Sequence, residues 1–108
     1  MTAEQANWIT PERARILKSV LAPFADKIDR VGLFGSQATG RARKNSDIDL
    51  VIYGSLGKAD IGQIWTDFDD SDLAVTVDVV AYNLDVYPPL RRHIDACAST
   101  LFEKADLA

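Results

Sequence analysis

The chain has 108 residues, 47% of them hydrophobic and 26% charged, the composition of one globular domain spanning residues 1–108, which excludes a disordered polymer. Twelve Lys and Arg against sixteen Asp and Glu leave a formal charge of −4, so the surface as a whole repels polyanions, and no direct nucleic-acid or anionic-membrane binding is expected. Cys97 is the single cysteine, which excludes an intrachain disulfide framework and a thiolate zinc site; with no apolar run near the ~18 residues of a membrane span and no signal-peptide layout, the expected compartment is the cytoplasm.

Thr10 stands where it can cap a helix whose first position is Pro11, and Ile16, Leu17, Val20, Leu21 and Phe24 follow at helical spacing, with the end near Pro23. Arg30 to Phe34 is a short apolar run closed by Gly35, and Asp47 to Tyr53 alternates strictly, with Ile48, Leu50 and Ile52 on one face; both predict strands. Between them the polar stretch Gly35 to Ser46 is too long for a hairpin turn and has room for one helical turn starting at Ser36. Gly54 to Gly57 predicts a turn, Ile61, Ile64, Trp65 and Phe68 a helix, and the Val- and Thr-rich run Leu73 to Ala81 a third strand. Pro88 and Pro89 open a last helix through about Ala98, and Thr100 to Glu103 can add a short edge strand. The fold class is therefore α/β (α+β), a small mixed β-sheet packed against helices.

Asp47 and Asp49 lie two residues apart on one predicted strand, so both side chains point to one face with Cβ atoms about 7 Å apart. Asp78 interrupts the run Thr76-Val77-Asp78-Val79-Val80, and if its strand lies beside the Asp49 strand a third carboxylate joins the pair. Carboxylates ~4 Å apart repel by several kcal/mol at an effective dielectric near 20, which calls for a positive charge between them. Hard oxygen ligands without Cys or His suit Mg²⁺ or Mn²⁺, and two such ions ~4 Å apart can clamp the attacking and leaving oxygens of a phosphoryl or nucleotidyl transfer. An Asp-x-Asp pair on a half-exposed sheet can equally be solvated and nothing more. Gly35-Ser36 directly after an apolar strand adds weight, because backbone N–H groups and the Ser36 hydroxyl can face a phosphate. Arg41, Arg43 and Lys44, the basic cluster feeding the Asp47 strand, can neutralise a triphosphate tail.

Taken together, Gly35-Ser36, ten residues, Asp47-Ile48-Asp49-Leu50 and the later Asp78 resemble the DNA polymerase beta nucleotidyltransferase superfamily. The run Gly-Leu-Phe-Gly-Ser-Gln-Ala-Thr-Gly-Arg followed by Ser-Asp-Ile-Asp-Leu looks most like its minimal nucleotidyltransferase branch, the MNT antitoxins that pair with HEPN toxins. The resemblance implies a palm-like domain in which Gly35 and Ser36 grip a nucleoside triphosphate, ATP or another, while Asp47, Asp49 and Asp78 hold two Mg²⁺ ions and Asp78 helps activate the attacking hydroxyl. It implies an adenylyltransferase-like antitoxin that modifies a hydroxyl of a HEPN-like toxin partner. Thr39 departs from the pattern, since an arginine often stands before the glycine matched by Gly40. Two other readings stay open: an antitoxin that neutralises its toxin by binding alone, and a subunit that modifies a small molecule. His93 and Cys97 on the last helix read as surface or packing residues, as do Trp8, Trp65, Tyr82 and Tyr87, with a partner interface the alternative for the tryptophans and a base or partner contact for the tyrosines. The acidic run Asp67, Asp69, Asp70 and Asp72 lacks the glycine and glutamate of an EF-hand loop and reads as a solvated helix end.

Overall fold

In the computed structural model, which describes residues 8–107, the Thr10 hydroxyl accepts the Arg13 N–H at 3.2 Å and Pro11 opens helix α1, Pro11–Leu21. The helix turns its apolar stripe inward, so Leu17 and Leu21 are wholly buried. Pro23 does not stop the chain; it continues as a 3-10 helix, Ala22–Lys27, and Phe24 packs on the core from there. Strand β1 follows at Ile28–Phe34, a short helix α2 at Ser36–Thr39, strand β2 at Ile48–Gly54 and helix α3 at Lys58–Asp69. Asp60 in the first turn of α3 accepts the Gly57 N–H at 2.8 Å and pairs with Lys27 at 3.1 Å. The N–H of Gly57 first, and Lys27 second, hold its carboxyl below the usual range.

Strand β3 spans Val77–Ala81, shorter than the run predicted from Leu73. Leu73 and Val75 do point into the core, but from a bent segment, where the Ser71 hydroxyl donates to the Phe68 carbonyl at 2.7 Å and accepts the Leu73 N–H at 3.3 Å. Inward-facing apolar residues there imitate strand alternation without a ladder partner. Helix α4 runs Pro88–Cys97, strand β4 Ser99–Glu103, and a helix that the sequence did not announce, α5, Lys104–Leu107. Asp106 accepts the Glu103 N–H at 2.8 Å and Leu107 is buried, which explains α5 locally.

The four strands form one mixed sheet in the order β3-β2-β1-β4, with β2 parallel to β3 and β1 antiparallel to both β2 and β4. Period-2 geometry sorts its side chains. Val31, Leu33, Ile48, Leu50, Ile52, Val77 and Val79 belong to the main core with Leu17, Leu21, Ile64 and Phe68 of α1 and α3. On the other face Phe34 and Val51 pack with Ile94 of α4, flanked by Tyr53, Val80, Tyr82 and Leu90. Tyr82 anchors that helix: its hydroxyl donates to Asp95 at 2.7 Å, and the Arg91 guanidinium lies 4.1 Å from its ring centroid. Among the described residues no helix is long and apolar enough to cross a membrane. Leu50 is wholly buried, paired across the sheet with Leu33 and Val79, so Leu50→Ala is expected to cost about 2–5 kcal/mol in urea unfolding through lost transfer energy and a residual cavity.

Candidate active site

Parallel pairing of β2 with β3 sets Asp49 directly opposite Asp78, and antiparallel pairing sets Phe34, the last residue of β1, opposite Asp49 on its other side. The site thus lies at the end of the sheet where β2 and β3 begin and β1 gives way to Gly35. Asp47 stands just ahead of β2 rather than within it and is exposed, whereas Asp49 and Asp78 are half-buried. Asp47 and Asp78 both act on Asp49. The Asp49 carboxyl is pushed up from 3.8 to about 6, chiefly by burial, then by the Asp78 and Asp47 charges and by a hydrogen bond shared with Asp78, against a smaller opposing effect of His93. A half-buried acid that titrates this high is one that a cation would strongly favour.

The surrounding backbone is shaped to the same carboxylate. Gly35 has φ 72° and ψ −151°, a region open essentially to glycine alone, and a Cβ added there would run into the Asp49 carboxylate. The Gly35 carbonyl accepts the N–H groups of Ala38 at 3.0 Å and Thr39 at 3.1 Å, so the N–H groups of Ser36 and Gln37 lie ahead of the first bond of α2. Gly40, at φ 81°, ends the helix in the left-handed conformation. Arg41, Arg43 and Lys44 then occupy the exposed loop before β2, and no ion pair engages them among the described residues.

Chemically the donor set is three hard carboxylates beside a glycine-serine turn and unpaired cations, which fits divalent metal with a polyphosphate. Among the described residues no three His, Cys, Asp or Glu side chains already stand in metal-holding geometry. The fit therefore rests on the donor chemistry, on mutual repulsion and on the room that Gly35 leaves. A cleft of about 190 Å³ opens elsewhere, between the start of α1 and residues 72–74, and none of the three carboxylates lines it.

Three residues of this neighbourhood were not legible as such. His93 is exposed on α4 with its ring edge-on to Phe34 at 6.2 Å, which brings it within electrostatic reach of Asp49. Its position beside the buried Ile94 marked the inner edge of a helix face, but not which sheet face that helix would cover. Gln37 is the one buried polar side chain among the described residues, and Trp8 donates its N–H to the Gln37 Oε1 at 2.7 Å. Of the acidic run, Asp69, Asp70 and Asp72 are exposed, and Asp67 accepts Gln63 Nε2 at 2.8 Å on α3.

Residues 16–107 match the family model described as Polymerase beta, Nucleotidyltransferase. No curated protein matches the chain by sequence. Among solved structures, a toxin–antitoxin with AMP-PNP superposes with a TM-score of 0.65 at 20% identity, over 81% of this chain and 70% of that one. A toxin–antitoxin MntA–HpeT mutant with two Asp-to-Glu substitutions gives 0.65 at 18% identity over 87% and 77%. A Tyr-to-Ala mutant of MntA–HpeT gives 0.62 at 21% identity over 79% and 68%. At these identities the likeness to the solved structures is one of fold.

Proposed function

Because the chain belongs to the polymerase beta nucleotidyltransferase family, we propose that it transfers a nucleoside monophosphate, AMP foremost, from the triphosphate to a hydroxyl of a partner protein, as the antitoxin of a HEPN-type toxin. The observation that carries this reading is the in-register opposition of Asp49 and Asp78 beside Gly35. Supporting the protein acceptor, the similar structures are toxin–antitoxin complexes, one of them with AMP-PNP.

In this reading Asp47, Asp49 and Asp78 would hold Mg²⁺, two ions being expected. Bound there, the metal neutralises phosphate charge and makes the acceptor hydroxyl more acidic. Gly35 and Ser36 take up phosphate oxygens with backbone N–H groups and the Ser36 hydroxyl, while Arg41, Arg43 and Lys44 offset the charge of the tail. The acceptor oxygen attacks the α-phosphorus in line, the bond to the bridging oxygen breaks, pyrophosphate leaves, and Asp78 takes the hydroxyl proton. No protein nucleophile enters the scheme.

The test is the intact mass of the protein encoded by the adjacent gene after incubation with this chain, Mg²⁺ and each nucleoside triphosphate in turn. Gains in whole nucleoside-monophosphate units, absent with Asp47→Ala, are expected. A stable complex without any gain would replace the transferase by an antitoxin that acts through binding.

A further inference from the structure

The loop carrying Arg41, Arg43 and Lys44 is tied to the glycine-serine turn at its start, where the Arg41 N–H donates to the Ser36 carbonyl at 3.1 Å, and has few bonds beyond it: the Arg43 N–H donates to Ser46 Oγ at 2.7 Å and the Ser46 N–H to the Arg43 carbonyl at 3.0 Å. Two further anchors reach it from the start of the described chain. Trp8 Nε1 donates to the Ala42 carbonyl at 3.1 Å, and Arg13 Nη2 donates to the Lys44 carbonyl at 3.2 Å. The two anchoring residues are tied together, with Arg13 Nη1 donating to the Trp8 carbonyl at 3.0 Å. They are also tied to the glycine-serine turn, because the Trp8 N–H is the partner of Gln37 Oε1 at 2.7 Å. Gln37 is 2% exposed and its Nε2 finds no acceptor. An unmet buried donor is unfavourable, so the Trp8 bond is a principal polar tie of this side chain to its surroundings.

We propose that Trp8 and Arg13 are positioning residues for nucleotidyl transfer, a clasp that fixes the 42–44 backbone relative to Gly35-Ser36 so that Arg43 and Lys44 meet the polyphosphate together with Arg41. The inference rests on the transferase reading above. Its physical basis is preorganisation. Exposed Arg and Lys side chains on an untethered loop lose backbone as well as rotamer freedom when they close on an anion, and that loss comes out of nucleotide affinity. Holding the carbonyls of Ala42 and Lys44 removes the backbone part beforehand while leaving all three cations free to turn toward the ligand. The clasp is indifferent to which acceptor is used, so its loss weakens ground state and transition state alike.

Trp8→Phe keeps the ring and removes the Nε1 donor; Arg13→Lys keeps the charge and removes the two-pronged guanidinium. Each is expected to raise the KM for Mg²⁺–ATP about five- to tenfold with kcat within about twofold of wild type. Trypsin should cut after Arg41, Arg43 and Lys44 faster by a similar factor, with cleavage after Lys27 and Arg91 unchanged. Combining Trp8→Phe with Arg43→Gln should cost less than the product of the two single effects, since Arg43 beside a released Ala42 carbonyl already contributes less. Unchanged KM and unchanged loop cleavage in both variants, with wild type active, would overturn the clasp and leave the transferase intact. Cleavage accelerated equally at every site would reduce it to a structural role and also overturn it. A wild-type chain that neither binds nor turns over the nucleotide would remove the transferase reading and the clasp with it.

Discussion

Asp49→Asn is expected to abolish Mg²⁺-dependent transfer and at the same time to raise the thermal midpoint of the metal-free protein at pH 7–8. Both outcomes come from one feature, a half-buried carboxyl whose pKa is pushed up to about 6 by burial and by Asp78 and Asp47. The sign follows from proton binding. Between the unfolded value of 3.8 and the folded value of about 6 the native state binds more protons than the unfolded one. The contribution of Asp49 to stability is therefore full below pH 3.8 and is lost as pH rises through about 6. Asparagine carries no charge and can donate to Asp78, so the variant avoids that loss. Solvent screening at a half-exposed group reduces the effect to about 1–2 kcal/mol, or ~4–8 °C for each kcal/mol in a domain of this size. In EDTA the difference between variant and wild type should open from pH 4 to pH 7 and close again in acid. A variant that melts below wild type at pH 7 without metal would contradict the convergence of carboxylates described above. Asp47→Asn should lose transfer equally but gain less stability, because Asp47 is exposed.

Gly35→Ala is expected to cost about 3–5 kcal/mol of stability and all detectable transfer, far more than a glycine-to-alanine change at an ordinary turn. Two effects add. The backbone at φ 72° and ψ −151° lies where side chains are strained by about 1–3 kcal/mol, and the new Cβ meets the Asp49 carboxylate. Urea unfolding separates them. Gly35→Ala combined with Asp49→Gly should recover the collision but not the backbone strain, and should regain no activity. Gly40→Ala provides the scale, since Gly40 adopts the ordinary left-handed conformation at a helix end, where alanine costs ~1 kcal/mol. If Gly35→Ala cost no more than Gly40→Ala, the close packing of Gly35 on Asp49 would be wrong.

Much of the site was readable because local rules govern it. Alternation through Ile48, Leu50 and Ile52 placed Asp49 on the opposite face from the main core, and Gly35-Ser36 after an apolar strand marked the turn. Thr10 and Pro11 likewise opened α1 where they stand, and the short helix at Ser36 and the edge strand near Thr100 formed as expected. Strand limits were less legible. Ile48 begins β2 because its N–H donates to the Thr76 carbonyl at 2.9 Å, a bond between segments far apart in sequence, and residues 73–76 have the composition of a strand without its pairing.

Which side chains of each element turn toward apolar surroundings follows from local sequence, because that periodicity is set by backbone geometry within a few residues. The tertiary structure alone decided that β3 pairs parallel to β2, so that Asp78 meets Asp49; that α4 lies over that same face and brings in His93; and that Trp8 and Arg13 reach across to the loop before β2. These are contacts between elements distant along the chain. They are chosen by the burial and hydrogen bonding of the whole domain at once, and no local pattern records that choice.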